Sequence, residues 1–228
     1  MSEREAPLVA VVDYGMGNLF SVKRACEEVG LRATITTSTR DVERAAAVIV
    51  PGIGAFADAI ATLERLDLVA VLRDVAASDR PFLGVCLGMQ LLMTESHEFG
   101  RHKGLGVIDG EVLPLRAALG PDGPKVPHVG WNGVHAGDRR EAWAASLLDG
   151  VPDGAFMYFV HSFYVAPVAH DVVLATTTYG GLEFCSSLRR RNVFACQFHP
   201  ERSGVEGLAV YRSLARALQA DVPESAHV

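Results

Sequence analysis

Short apolar runs alternate with amphipathic stretches along the first part of the chain, up to Gly100. "PLVAVVD" is an unbroken apolar run, the pattern of a strand buried on both faces. Asn18 then offers an N-cap, Leu19, Val22, Cys26 and Val29 follow at helical spacing, and Gly30 marks the stop. "LRATITT" and "AAVIVPG" predict two more strands, and Phe56, Ile60 and Leu63 mark the next helix. "RPFLGVC" predicts a fourth strand, and "LGMQLLMTESHEFG" a helix closed by Gly100. Strands alternating with helices imply a parallel sheet covered by helices.

Beyond Gly100 the pattern changes. "LGVIDGEVLPL", "VPHVGWNGVHA", "AFMYFVHSFYVAP", "DVVLATTTY", "LEFCSSL" and "NVFACQF" read as strands separated by turn residues, with "LRRRN" a hairpin turn. Ser203 and Glu206 have capping-box spacing ahead of a stripe formed by Leu208, Tyr211, Leu214, Ala215 and Leu218. The expected architecture is α/β: a mostly parallel central sheet, helices on both faces, and added antiparallel strands in the C-terminal half. One domain is expected over residues 1–220, with a frayed tail at 221–228.

The chain has 228 residues, enough for a full core, and its net charge of −6 argues against a nucleic-acid partner. No apolar run approaches the ~20 residues that cross a bilayer, and the polar start lacks the layout of a signal peptide. These features lead us to expect a cytoplasmic protein with no membrane partner. Of the four cysteines, none forms a C-x-x-C pair, so cysteine-based metal and dithiol readings lack their spacing. No metal or cofactor is expected. Cys26 falls on the core face of its helix and is given no chemistry.

Cys86 is different. It stands between Gly84 and Gly88, where an apolar strand meets an apolar helix. A strand turning sharply into a helix crowds the residues two positions either side of its tip, and glycine relieves that crowding. The tip projects at the carboxyl end of the sheet, where open α/β folds bind ligands, and a helix N-terminus favours a thiolate. A nucleophile needs a base. His199 follows the strand "NVFACQF", and Pro200 keeps it extended, so that Glu201 at i+2 reaches the same side. A Cys86–His199–Glu201 triad is the economical reading. An oxyanion hole would take the Leu87 N–H and an amide of the Gly52-Ile53-Gly54 loop. From spacing alone, that loop is equally an ordinary strand-to-helix turn. "DYGMGN" is no dinucleotide fingerprint, because Phe20 stands where a small residue is needed.

Taken together, "GVCLGMQLL", "PGIGAF" and "QFHPERSG" resemble class I, triad-type glutamine amidotransferases. "DYGMGNLFSV", "GLGVIDGEVLPL", "VPHVGWN" and "YFVHSFYV" are similar to the branch that provides the glutaminase subunit of imidazole glycerol phosphate synthase. The resemblance spans Val11 to the final helix. It implies hydrolysis of glutamine to glutamate and ammonia. It also implies passage of the ammonia to a separate (β/α)₈-barrel cyclase subunit in histidine biosynthesis, the two subunits forming a heterodimer. It makes Cys86 the nucleophile, His199 the base and Glu201 the orienting carboxylate, and places the oxyanion strand at Gly52–Gly54. It places Gly54, Gln90, Glu98 and Ser162 at the glutamine, and Pro127, His128, Gly130, Trp131, Asn132 and Arg202 toward the cyclase. Two positions depart from the common pattern: Arg202 replaces a Lys, and Phe163 a Tyr.

Other readings remain. The nearest is the glutaminase of another pathway, such as pyridoxal phosphate, anthranilate or purine synthesis. A Cys-elbow peptidase or stress protein would place His directly after the nucleophile, where Leu87 stands. A binding module that kept the fold would have lost a triad residue.

Overall fold

The computed structural model describes residues 6–220. The tail expected at 221–228 lies outside them, as does His227. Strands β1 (Leu8–Val12), β2 (Arg32–Thr36), β3 (Ala47–Gly52) and β4 (Phe82–Cys86) alternate with helices α1 (Leu19–Glu28), α2 (Thr39–Arg44), α3 (Phe56–Arg65) and α4 (Leu68–Ala77). Helix α5 (Leu87–Leu91) follows β4 without a gap. Next come β5 (Met93–Ser96), β6 (His102–Lys103), β7 (Ile108–Pro114), α6 (Leu115–Leu119), β8 (His128–Val134) and α7 (Arg140–Ala144). Strands β9 (Ala155–His161), β10 (Phe163–Pro167), β11 (Val173–Tyr179), β12 (Leu182–Arg190) and β13 (Val193–Cys196) precede the closing helix α8 (Gly204–Ala220).

The main sheet has 11 strands, running β2-β1-β3-β4-β13-β12-β10-β7-β5-β6, with β11 beside β12. The block β2-β1-β3-β4-β13 is parallel throughout. Strands β12 and β10 continue it antiparallel, and β7 and β5 pair in parallel beyond them. Each residue of β3 and of β4 is buried, which is why both read as unbroken apolar runs. Apolar side chains on opposite faces of the sheet form two separate cores: Val9, Val11, Ile49 and Leu83 join one, Ala10, Val48, Val50 and Phe82 the other. A separate two-stranded ribbon, β8 with β9, stands beside the sheet.

The local signals for α1 hold. Asn18 Oδ1 accepts from Ser21 N at 3.4 Å, Cys26 is fully buried, and Gly30 (φ 81°) carries the chain out of the helix. The helix expected over residues 87–100 is corrected: α5 ends at Leu91, and Met93–Ser96 is a strand paired with β7. Leu91, Leu92 and Met93 are all fully buried, so helix and strand leave the same apolar mark there. His97 therefore lies at the end of a strand, not late in a helix. "AFMYFVHSFYVAP" divides at Ser162 into β9 and β10, which belong to different sheets. The Ser203 hydroxyl does not close a capping box with Glu206. It donates to His199 O at 2.6 Å and accepts from Tyr158 N at 3.0 Å.

Candidate active site

Cys86 has φ 54° and ψ −108°, a conformation that L-residues avoid. The glycines allow it by leaving space. A Cβ on Gly84 would sit 2.9 Å from Gly88 O, and one on Gly88 would collide with Val50 O. The crowding expected around the elbow is therefore present, with β3 as an added neighbour. Cys86 sits at the carboxyl end of β4, in the N-cap position of α5, on a cleft of about 380 Å³.

His199 (φ −102°, ψ 93°) is extended, as its following proline demands. Glu201 then arrives through a 3-10 turn over Pro200–Arg202 rather than along an extended chain. The pairing survives this difference: His199 Nδ1 lies 2.8 Å from Glu201 Oε1, with both side chains buried. The backbone around His199 is fixed on two sides, since its N–H donates to Tyr158 O at 2.9 Å and its carbonyl accepts from Ser203. The other ring nitrogen, Nε2, is enclosed and has no hydrogen bond of standard geometry among the described residues. Cys86 is the group that acts on it. Burial pulls the imidazole pKa down, but the thiolate's charge and hydrogen bonding, with the Glu201 carboxylate, outweigh burial and push it up to about 10. His199 therefore keeps its proton through neutral pH. In contrast, burial pushes the Cys26 and Cys185 thiols up to about 12, which leaves them as inert core groups.

Ile53, Gly54, Leu87, Gln90, Glu98, Ser162, Pro127 and Arg202 all line the cleft with Cys86. Leu87 opens α5, so its N–H is a first-turn amide without a helical acceptor. On the adjacent strand Gly52 pairs with Cys86, and Gly54 has φ 117°, which leaves the Ile53–Gly54 peptide a range of orientations closed to other residues. Gln90 Nε2 donates to Phe163 O at 3.1 Å and to Gln197 Oε1 at 3.0 Å, leaving its own carbonyl for a ligand. Glu98 Oε2 accepts from Phe56 N at 2.6 Å, capping α3.

The stretch expected to face the cyclase divides by strand alternation. Pro127 and Trp131 are exposed and Gly130 and Asn132 half-buried. His128 is corrected from that face: its side chain is buried beneath the ribbon, Nδ1 2.9 Å from His161 Nε2. Burial pulls the pKa of His128 down to about 4 and that of His161 to about 3, so both rings are neutral. His161 Nδ1–H then donates to Phe163 O at 2.8 Å, and its Nε2 accepts from His128.

Three residues of the site were not expected from the sequence. Gln197, fully buried, donates to Cys86 Sγ at 3.5 Å while receiving Gln90. A polar residue inside the apolar strand "FACQF" was its one trace. Tyr14 donates to Pro51 O at 2.7 Å and braces the end of β3 at Gly52. Tyr158 carries the Arg202 guanidinium 4.6 Å above its ring.

Residues 10–213 match the family described as Glutamine amidotransferase class-I. The chain belongs to the class-I glutamine amidotransferase family. The amidotransferase is 46% identical over 205 residues to "Imidazole glycerol phosphate synthase subunit HisH" of Moorella thermoacetica, covering 90% of this chain and 92% of the relative. It is 45% identical to the protein of the same name from Rhodopirellula baltica, covering 92% and 98%. Among solved structures, the amidotransferase resembles PurLQS from Thermotoga maritima (TM-score 0.72, 17% identity, 94% and 100% coverage), which shows the shared fold. A crystal structure titled as a glutamine amidotransferase matches with a TM-score of 0.69 at 20% identity, covering 92% and 98%.

Proposed function

We propose that this chain is the glutaminase subunit of imidazole glycerol phosphate synthase, releasing ammonia from glutamine for a cyclase subunit in histidine biosynthesis. One observation carries the reaction: Cys86 stands at a strained elbow against a buried His199 that Glu201 holds by Nδ1. The thiolate attacks the side-chain amide of glutamine. The oxyanion forms against the Leu87 N–H and an amide of the Gly52–Gly54 loop. His199 protonates the amide nitrogen of the tetrahedral intermediate, the C–N bond breaks to release ammonia, and water then releases glutamate from the thioester by the same route. Gln90, Glu98 and Ser162 hold the glutamine.

The kinship with HisH subunits supports assignment to that synthase, and the surface supports a heterodimer. Val129, Trp131 and Phe156 expose about half or more of their area on the β8–β9 ribbon, where Val129 pairs with Val160, a cleft-lining residue like Ile53 and Arg202. Apolar side chains clustered around a catalytic mouth suit a protein partner. The freedom at Gly54 supports a second step: the Ile53–Gly54 amide turns into the oxyanion hole when the cyclase holds its nucleotide. Glutamate release by the purified chain, alone and with a cyclase subunit plus nucleotide, tests both. Strong activation that vanishes in Cys86→Ala is the expected result. Full activity without the cyclase would overturn the gated hole, and silence with the partner bound would overturn the glutaminase.

A further inference from the structure

Far along the sheet from β4, strands β5 and β7 run in parallel with Glu95 opposite Glu111. Two carboxylates directly in register repel and call for a cation between them. His97 follows β5, and its backbone N–H donates to Val112 O at 3.0 Å, which anchors the ring beside both. Its Nε2 lies 3.4 Å from Glu95 Oε1 and 3.3 Å from Glu111 Oε1. The atom is enclosed, yet it makes no hydrogen bond to either oxygen.

A charge-assisted N–H···O bond closes to ~2.7–2.9 Å and aims at one acceptor. Ligands at ~2.0–2.1 Å from a tetrahedral Zn²⁺ lie about 3.3 Å from one another. The nitrogen-to-oxygen separations match the edges of a coordination tetrahedron and exceed those of a good hydrogen bond. The three donor atoms all fall within 4.8 Å of one another. We propose that Glu95, His97 and Glu111 form a site for a divalent transition-metal ion of the zinc class, with water completing the tetrahedron. Two carboxylates and a neutral imidazole balance a charge of +2. The donor set is too few in oxygens for Ca²⁺ and lacks the sulfur that selects Cu⁺. No cysteine spacing announces this site, because no cysteine takes part. Arg101 Nη1, 3.6 Å from Glu95 Oε1 and mostly exposed, is the competing cation. Lys103, across from Glu95 on β6, makes no ion pair with it among the described residues.

None of the three ligands lines the glutaminase cleft, and the test needs no turnover. The untagged, metal-free chain carrying Cys86→Ala, which removes the reactive thiolate as a rival ligand, is titrated with ZnCl₂ by calorimetry and with Co²⁺ by visible absorption. The expected result is one Zn²⁺ per chain and a tetrahedral Co²⁺ spectrum without a thiolate charge-transfer band. His97→Ala and Glu111→Gln should each weaken binding by more than the ~10-fold typical of losing an outer partner. Arg101→Gln should tighten it. Circular dichroism checks that the variants fold, and Glu111→Gln, at a half-exposed side chain, serves should His97→Ala fail to. No saturable binding would overturn the site. So would a sulfur-to-cobalt band, or an affinity indifferent to both ligand changes; the cluster would then be an ordinary imidazolium bridge.

Discussion

Burial opposes a charge on His199, and the neighbouring Cys86 and Glu201 groups favour one. The raised value near 10 means that the imidazolium, the form that protonates the leaving amide nitrogen, persists through neutral pH. The basic limb of kcat/KM for glutamine in the synthase complex should therefore fall near pH 10 rather than near the ~6.5 of a free histidine. Glu201→Gln removes one of the raising charges, so the limb should move toward neutrality; a pH–rate profile of both proteins reads the difference. Gln197 acts on the sulfur side. Gln197→Leu keeps the volume but leaves the thiol without its donor and one Gln90 N–H without its acceptor. At ~1–3 kcal/mol for a buried partner left unmet, kcat/KM should drop about 10–100-fold with the fold intact. Steady-state kinetics beside a thermal melt separates that outcome from simple destabilisation.

At the scale of elements, the strand–elbow–helix unit and the β8–β9 ribbon make different demands. Gly88→Ala drives a Cβ into Val50 O, so β3 or α5 must move. The expected cost is ~1–3 kcal/mol of stability, read by urea midpoint, with loss of activity because the tip moves too. The ribbon is tied by its histidines. His128 and His161 stay neutral when folded, with values near 4 and 3, whereas the unfolded chain protonates both near ~6.5. The unfolded state thus binds more protons below that pH, so their contribution is present above it and is lost as pH falls toward 4 and then 3. Urea midpoints from pH 7 to pH 4 should fall more steeply for this chain than for His128→Asn. The triad was legible because each member was marked locally: two glycines beside Cys86, a proline after His199, a carboxylate two positions on. Gln197 and His128 were not, since their roles come from strands distant in sequence. The short α5 was hidden for another reason. Its continuation into β5 stays buried, and burial erases the periodicity that separates helix from strand.

For the molecule as a whole, the question is how a surface informs a cleft. The exposed apolar side chains of the ribbon and the mouth of the cleft form one region. Trp131 meets Tyr158 edge-on at 6.0 Å, Tyr158 carries Arg202, and Arg202 lines the cleft with Ile53. A partner seated on Trp131 therefore presses on the residues that border the oxyanion loop. Tryptophan at the centre of such a patch is the residue type that carries interface energy. Trp131→Ala should weaken the complex with the cyclase by ~2 kcal/mol or more, about 30-fold in Kd. Val168→Ala provides the contrast. Val168 is also exposed (74%), but it lies past the end of β10 opposite the cleft, where the same truncation should leave Kd unchanged. Affinity alone does not show that the surface carries the signal, so both variants are assayed at cyclase concentrations that saturate each. If contact merely holds the subunits together, Trp131→Ala regains full glutaminase activity once bound. If contact also turns the Ile53–Gly54 amide, the bound variant stays below the parent chain in kcat while its KM for glutamine is little changed, because the loop serves the oxyanion and not the ground-state amide. The second pattern is expected from the unbroken run of contacts between Trp131 and the cleft.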